Sequence, residues 1–285
     1  MKLVLSRKGF DSCAGGCPSP ILPDGRMISL PIPDKNSIVT YGDIRRHGQS
    51  IGPVVEQLTR GRIPQTHRAH LDPDLVEESL TRCSGWRPIF GQTNQAQTHL
   101  QRHEVGAGDL FLFFGLFRHT RRSDGQLTWE LGGRSRHVIW GWLQVDEVLS
   151  PSQVDMDCYA WANSHPHFHR GDDPRNAIYI ARKQLDLGSG IRGNVSGAGA
   201  FTHCLPVLQL TDEDGRNVSD WKLPTWFFPH GDKTPLTYHR NLDRWNSREG
   251  YTRLRAAARG QEFVLNCNEY PDAIGWLARL LVGSA

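Results

Sequence analysis

Residues 106–117, GAGDLFLFFGLF, and 137–148, HVIWGWLQVDEV, decide how the chain is read. In the first, a turn from Gly106 to Asp109 releases a run of apolar and aromatic residues from Leu110 to Phe117. A short apolar run bounded by a glycine turn predicts a buried strand. The second stretch alternates only in part and is rich in β-branched and aromatic residues, which suit a pleated, half-buried surface. The charged segment between them holds Ser123-Asp124-Gly125 and Gly132-Gly133 and reads as a long hairpin connection. This pair of strands sets the expected class: α+β, mixed, with a largely antiparallel or barrel-like central sheet and a few peripheral helices.

Outward from that pair, further strands are expected at Leu3-Val4-Leu5, Asn176 to Ala181, Leu205 to Leu210 and Gln261 to Leu265. Asp214-Gly215 supplies a turn after the third of these. One helix is expected from Pro53 to Thr59. A second would run from Asp74 to Thr81, with Asp72 as its cap and Pro73 in its first turn. A third, from Tyr270 to Leu281, sets Ile274, Leu277 and Leu281 on one face. No repeat, low-complexity linker or regular β-α-β alternation is visible. The expected organisation is one compact domain over 1–285, with an N-terminal ligand-loop segment at 1–35 and a β-rich core at 105–270.

At 285 residues and 38% hydrophobic content the chain can bury a sizeable core. No apolar run approaches the roughly 20 residues that span a bilayer. The opening Met1 to Leu5 meets Arg7 and Lys8 too soon for a signal-peptide apolar region, so the expectation is a cytoplasmic protein with no membrane partner. Six scattered cysteines then read as reduced thiols. A net charge of +3 permits nucleic-acid contact without demanding it. The balance is stronger between Arg118 and Arg136, where Arg121, Arg122 and Arg134 also fall.

The richest candidate site follows the first strand, in SRKGFDSCAGGCPSPI (6–21). A strand that ends in a polar loop puts its next residues at a sheet edge, where ligand groups are often assembled. Arg7 and Lys8 would clamp a phosphate, Asp11 would act as acid/base, and Ser12 would donate. Gly15 and Gly16 would let backbone N–H groups approach an anion. The competing reading is a loop whose Asp11 and Ser12 bond only their own backbone.

A second candidate is HPHFH (165–169), whose His165, His167 and His169 would share a face in extended backbone and could form a three-imidazole metal set. The sequence favours a surface loop with one functional histidine, His167, over that metal alternative. Beside it Arg175, Asn176 and Tyr179 stand at a strand entry, where asparagine can read a base edge and tyrosine can stack on one. Tyr238 and His239 form a further candidate acid/base pair. Gly188 to Gly193 matches G-x-G-x-x-G, but no helix pattern follows, so a flexible loop or lid is expected instead of a dinucleotide site.

Taken together, SRKGFDS…GGCPSPI, HPHFH, NAIYIA (176–181), WKLPTWF (221–227) and RGQEFVLN (259–266) resemble the third type of nucleotide-modification-associated domain, a family linked to DNA-base modification in bacteria and phages. The resemblance covers nearly the whole chain and implies nucleotides, or bases within DNA, as partners, with partner proteins of a modification pathway. It implies no reaction and no cofactor. GDLFLFF (108–114) with VIWGWLQV (138–145) also resembles the barrel pattern of PUA-like domains. Two functions follow as expectations. One is an enzyme that modifies a nucleotide or base, with Asp11 and His167 moving protons. The alternative is a non-catalytic reader that holds a modified base in a PUA-like pocket while arginines between Arg118 and Arg136 contact the DNA backbone.

Overall fold

The computed structural model describes residues 1–170, 173–188, 195–258 and 262–283. The first half of the chain supplies β1 (Lys2–Arg7), β2 (Ser19–Ile21), β3 (Arg45–Arg46), β4 (Gln49–Ser50), β5 (Ile89–Gln92), β6 (Leu110–Ser123) and β7 (Gln126–Trp129). The second half supplies β8 (Arg136–Leu149), β9 (Ala177–Ala181), β10 (Ala198–Ala200), β11 (Asp220–Leu223), β12 (Trp245–Arg248), β13 (Tyr251–Arg255) and β14 (Glu262–Asn266). Three helices accompany them: α1 (Gly52–Leu58), α2 (Asn94–Arg102) and α3 (Asp272–Leu281).

The two segments that decided the class become β6 and β8, paired antiparallel with a bulge between Phe113 and Phe114. They lie inside a nine-stranded mixed sheet ordered β14-β1-β6-β8-β9-β5, with β2 and β7 on β6 and β10 on β8. The β1–β6 and β2–β6 pairs are parallel and the other pairs antiparallel. Consecutive residues Leu3, Val4 and Leu5 are all fully buried, as are Leu110 to Phe114. Since successive side chains point to opposite faces, this sheet is covered on both sides at its centre. The connection between β6 and β8 is a true hairpin only at its start, where Asp124 and Gly125 turn with positive φ into β7. A smaller sheet, β11-β13-β12, stands apart.

Several expectations need correction. The large sheet is open, with no closed barrel among the described residues, and a PUA-like architecture is not seen. Leu205 to Leu210 forms no strand: Pro206 begins a short 3-10 turn, Pro206–Leu208. The helix expected from Asp74 to Thr81 is reduced to a 3-10 turn, Glu77–Ser79, because the Asp74 backbone pairs with Ile89 in both directions. Asp72, read as its cap, spends its carboxylate elsewhere. Helix α2 is polar along most of its length and gave no apolar periodicity to read; its Gln97 and Leu100 are the buried positions.

Gly115 fixes how the chain leaves β1. A Cβ there would lie 2.6 Å from the Lys8 carbonyl oxygen, while Lys8 N–H donates to Phe114 O at 2.8 Å. The glycine therefore lets the N-terminal loop start flat against β6, with Arg7 and Lys8 at the end of a central strand.

Candidate functional site

Arg7, Lys8 and Asp11 line a cavity of 720 Å³ that His70, Asp72, His167 and Tyr238 also line. Four separate chain segments thus converge: the end of β1 with its loop, the stretch before β5, the 3-10 turn Pro166–His169, and the segment between β11 and β12.

Asp72 is the hub of one wall. Its Oδ1 accepts from Gly91 N–H at 2.7 Å and from His165 Nε2 at 3.1 Å. Its Oδ2 stands 3.8 Å from both His70 Nε2 and His167 Nε2. Burial alone would raise the Asp72 carboxyl, but the His165 hydrogen bond and the neighbouring imidazoles outweigh it and hold the group well below the usual carboxylate range. Burial pushes His70 down, against the pull of Asp72 and Asp34, and pushes His167 down to about 3. Both rings are therefore neutral near pH 7.

Their tautomers follow from the partners behind them. His70 Nδ1 meets Asp34 Oδ2 at 2.7 Å, and a carboxylate can only accept, so Nδ1 carries the proton. His167 Nδ1 meets Asn176 Oδ1 at 2.7 Å, and the Asn176 amide group donates to His167 O at 2.7 Å, which orients the side chain. Nδ1 of His167 therefore donates as well. Both Nε2 atoms are left as lone pairs directed toward Asp72. The His167 ring lies directly over Gly91, where a Cβ would come within 2.2 Å of it. Only glycine at that position in β5 allows this arrangement.

The opposite wall is cationic. Lys8 Nζ donates to Glu262 Oε1 at 3.1 Å and sits 4.6 Å from the centre of the Phe90 ring. Gln92 also donates to Glu262 Oε1. Glu262 is 1% exposed, and its Oε2 has no hydrogen-bond partner among the described residues. Arg7 donates to Ala258 O at 3.2 Å, and its Nε has no partner among the described residues. Burial lowers the Arg7 pKa, and Asp11 counters it. Arg170 lines the same cavity.

A family model described as nucleotide modification associated domain 3 matches residues 2–266. The chain belongs to this family. No curated protein and no solved structure matched it. Membership suggests a role in nucleotide modification systems, and it agrees with the resemblance drawn from the sequence segments.

In this member of the nucleotide modification associated domain 3 family, the N-terminal loop is held by its own aspartate. Asp11 Oδ1 accepts from Cys13 N–H at 2.7 Å and Ala14 N–H at 2.8 Å. Gly15 and Gly16 have φ of +83° and +75°, and a Cβ on Gly15 would strike the Phe10 ring. Their role visible here is the turn. Ser12 is exposed and does not line the cavity.

The histidine segment is not extended. It forms a 3-10 turn capped by His165, so alternate residues do not share a face. His165 and His167 reach Asp72, whereas His169 is turned away to Asn163 O at 2.6 Å. Asn176 is 2% exposed and touches His167 rather than solvent. Tyr179 is buried, bonded to Gln97 Oε1 at 2.9 Å and stacked on Phe90. Arg175 is exposed beside Asp173 and lies outside the cavity. Tyr238 lines the cavity with positive φ, but His239 does not. His239 Nδ1 donates to Thr237 O and its Nε2 accepts from Ala257 N–H. Most of Gly188 to Gly193 lies outside the described residues.

Sequence reading missed His70, Asp72, Asp34, Gln92 and Glu262. A usable signal was His70-Leu71-Asp72, an alternating polar pair in a segment without helical periodicity.

Proposed function

We propose that the protein is an enzyme that modifies a nucleotide or a nucleic-acid base in this cavity. The observation that carries the reading is the meeting of Arg7 and Lys8 with the His70–Asp72–His167 cluster in one cavity. Clusters of buried ionisable groups with opposed environments, opening to a cavity, are the mark of sites that do chemistry. Arg7 and Arg170 would take phosphate, and the half-exposed Tyr238 would offer a ring face to a base. The Asn94 amide would read its polar edge. The imidazole–carboxylate wall would act on the reacting atom. Glu262, with one oxygen unpartnered, would accept a proton or hydrogen bond from substrate.

The reader alternative is less well supported, because three of the five arginines that would contact DNA already donate to other parts of the chain. Arg118 donates to Glu130 O, Arg134 to Gly215 O and Arg136 to Gln209 Oε1. One compact domain in a cytoplasmic setting, with partner proteins of a modification pathway, remains part of the proposal. Mass spectrometry of host DNA nucleosides and the nucleotide pool, with and without expression, tests it. A new species made by the native protein and absent with His167→Ala is the expected result. Unchanged profiles, together with salt-sensitive binding to modified DNA, would replace the enzyme with the reader.

A further inference from the structure

We propose that His70 Nε2, Asp72 Oδ2 and His167 Nε2 form a binding site for a divalent first-row transition ion, with open positions turned to the cavity. The inference deepens the enzyme reading above and rests on it for the substrate side only; the ion site stands on its own geometry.

The three ligand atoms lie within 4.8 Å of one another, with both imidazole nitrogens 3.8 Å from the carboxylate oxygen. Ligands held about 2.1 Å from an ion sit roughly 3–4 Å apart, so capture requires only a small inward movement. The set is also incomplete without a cation. The Nδ1 protons are committed to Asp34 and Asn176, and Asp72 Oδ1 is committed to Gly91 and His165. What remains is two nitrogens and one carboxylate oxygen facing one another. A cation between them would turn that crowding of lone pairs into attraction.

The atoms behind the ligands are those that metal sites use. A ligating histidine almost always donates its other N–H to a carboxylate or carbonyl oxygen, which fixes the ring and raises its basicity. Here one ring has a carboxylate, Asp34, and the other an amide oxygen, Asn176. The ligands come from two separate segments, so the site is fixed by the fold rather than by a local run. Two imidazoles and one carboxylate suit iron(II), manganese(II), cobalt(II) or zinc(II) better than magnesium or calcium, which prefer all-oxygen sets. Three protein ligands leave positions for water or a substrate atom. A second feature also points to a ligand in this cavity: Glu262 Oε2 is buried, lines it, and has no partner among the described residues.

The test is titration of metal-stripped full-length protein with cobalt(II) alone, followed by visible absorption, with zinc(II) in competition and circular dichroism to confirm folding. The expected result is saturable single-site uptake with ligand-field bands. His70→Gln and His167→Gln should abolish it, while His169→Gln, which changes the histidine bonded to Asn163, should retain it. Should a ligand variant fail to fold, the rise in melting temperature of the native protein on adding the ion, and its loss in the other ligand variant, gives the same answer. No saturable uptake by native protein, or uptake unchanged in His70→Gln, would overturn the site. Absent uptake with nucleoside modification by stripped protein overturns the ion site but leaves the enzyme; saturable uptake without any modified nucleoside does the reverse.

Discussion

Among the five buried histidines of the described residues, two pairs are used in opposite ways. His137 and His239 lie in the core, and burial pushes them down to about 3 and about 4. His137 Nδ1 accepts from Trp221 Nε1 at 3.0 Å, and both nitrogens of His239 are taken by backbone. His70 and His167 are similarly buried and also pushed down. Yet each spends only Nδ1 on the protein and presents Nε2 to Asp72 across a cavity. Burial and a shifted pKa therefore do not separate structural from functional histidines. What separates them is where the remaining nitrogen stands: Nε2 of His70 and of His167 faces the Asp72 carboxylate at a cavity wall.

The comparison breaks most visibly if the two pairs fail to separate under mutation. His167→Ala should cut formation of a modified nucleoside by about 10²–10⁴-fold, the usual range for losing a group that acts directly in the chemistry. Its effect on stability should be the smaller one, since the ring borders the cavity and only the Asn176 side chain loses a hydrogen-bond partner. Product formation per folded molecule, from quantified nucleosides and soluble protein, checks this. His239→Ala should show the reverse. It removes a fully buried ring and strands Thr237 O and Ala257 N–H, at a cost of about 3 kcal/mol in urea unfolding. Product per folded molecule should hold. If His239→Ala abolished product at full stability, the division between the pairs would be wrong.

A smaller effect probes what stands behind the ligands. Asn176→Ala removes the acceptor that orients His167, and second-sphere losses of this kind cost about 10–100-fold in metal affinity or activity. Cobalt titration of the variant beside its unfolding curve separates that loss from a general destabilisation. Equal affinity would mean that Asn176 only packs the strand entry.

Alongside His70 and His167, which burial also pushes down, the core pair should contribute to acid sensitivity. Their folded pKa values lie below the ordinary 6.5, so the neutral form belongs to the folded state. Their contribution is then fully present above pH 6.5 and is lost as pH falls, because the unfolded chain takes up protons first. Each histidine should remove about 1.4 kcal/mol per pH unit below that point, His239 ceasing near pH 4. Unfolding free energies measured across this range should show a shallower slope for His239→Gln. An identical slope would place the proton uptake elsewhere.

How much of this was legible in the sequence depends on the range of the forces involved. Strands β1, β6, β8, β9 and β14 were readable because local apolar content and turns mark them. Arg7, Lys8, Asp11, His167 and Tyr238, picked separately, do share one cavity. Asp72 was not readable as the hub, since Asp-Pro before an apolar stretch looks like a helix cap. Its actual partners, Gly91 and His165, are 19 and 93 residues away. Glu262 is paired with Gln92 across 170 residues. Contacts so distant leave no periodicity behind. The small sheet β11-β13-β12 escaped for a related reason: its strand β12 is mostly exposed and polar.

The smallest expected effect concerns Asp11, the residue the sequence made most prominent. Its Oδ1 is occupied by the N–H groups of Cys13 and Ala14, so its first duty is to hold the loop that carries Arg7 and Lys8. Asn can accept the same two hydrogen bonds through its own oxygen, and Asp11→Asn thus removes the charge while leaving the turn. With the acid/base work placed at the imidazole–carboxylate wall, that change should lower product formation by less than about tenfold, through weaker support of the nearby Arg7 charge. Parallel measurement of product formation and phosphate-group binding decides the point. A loss as deep as that of His167→Ala, with binding intact, would move the proton transfer from the histidine wall to the N-terminal loop.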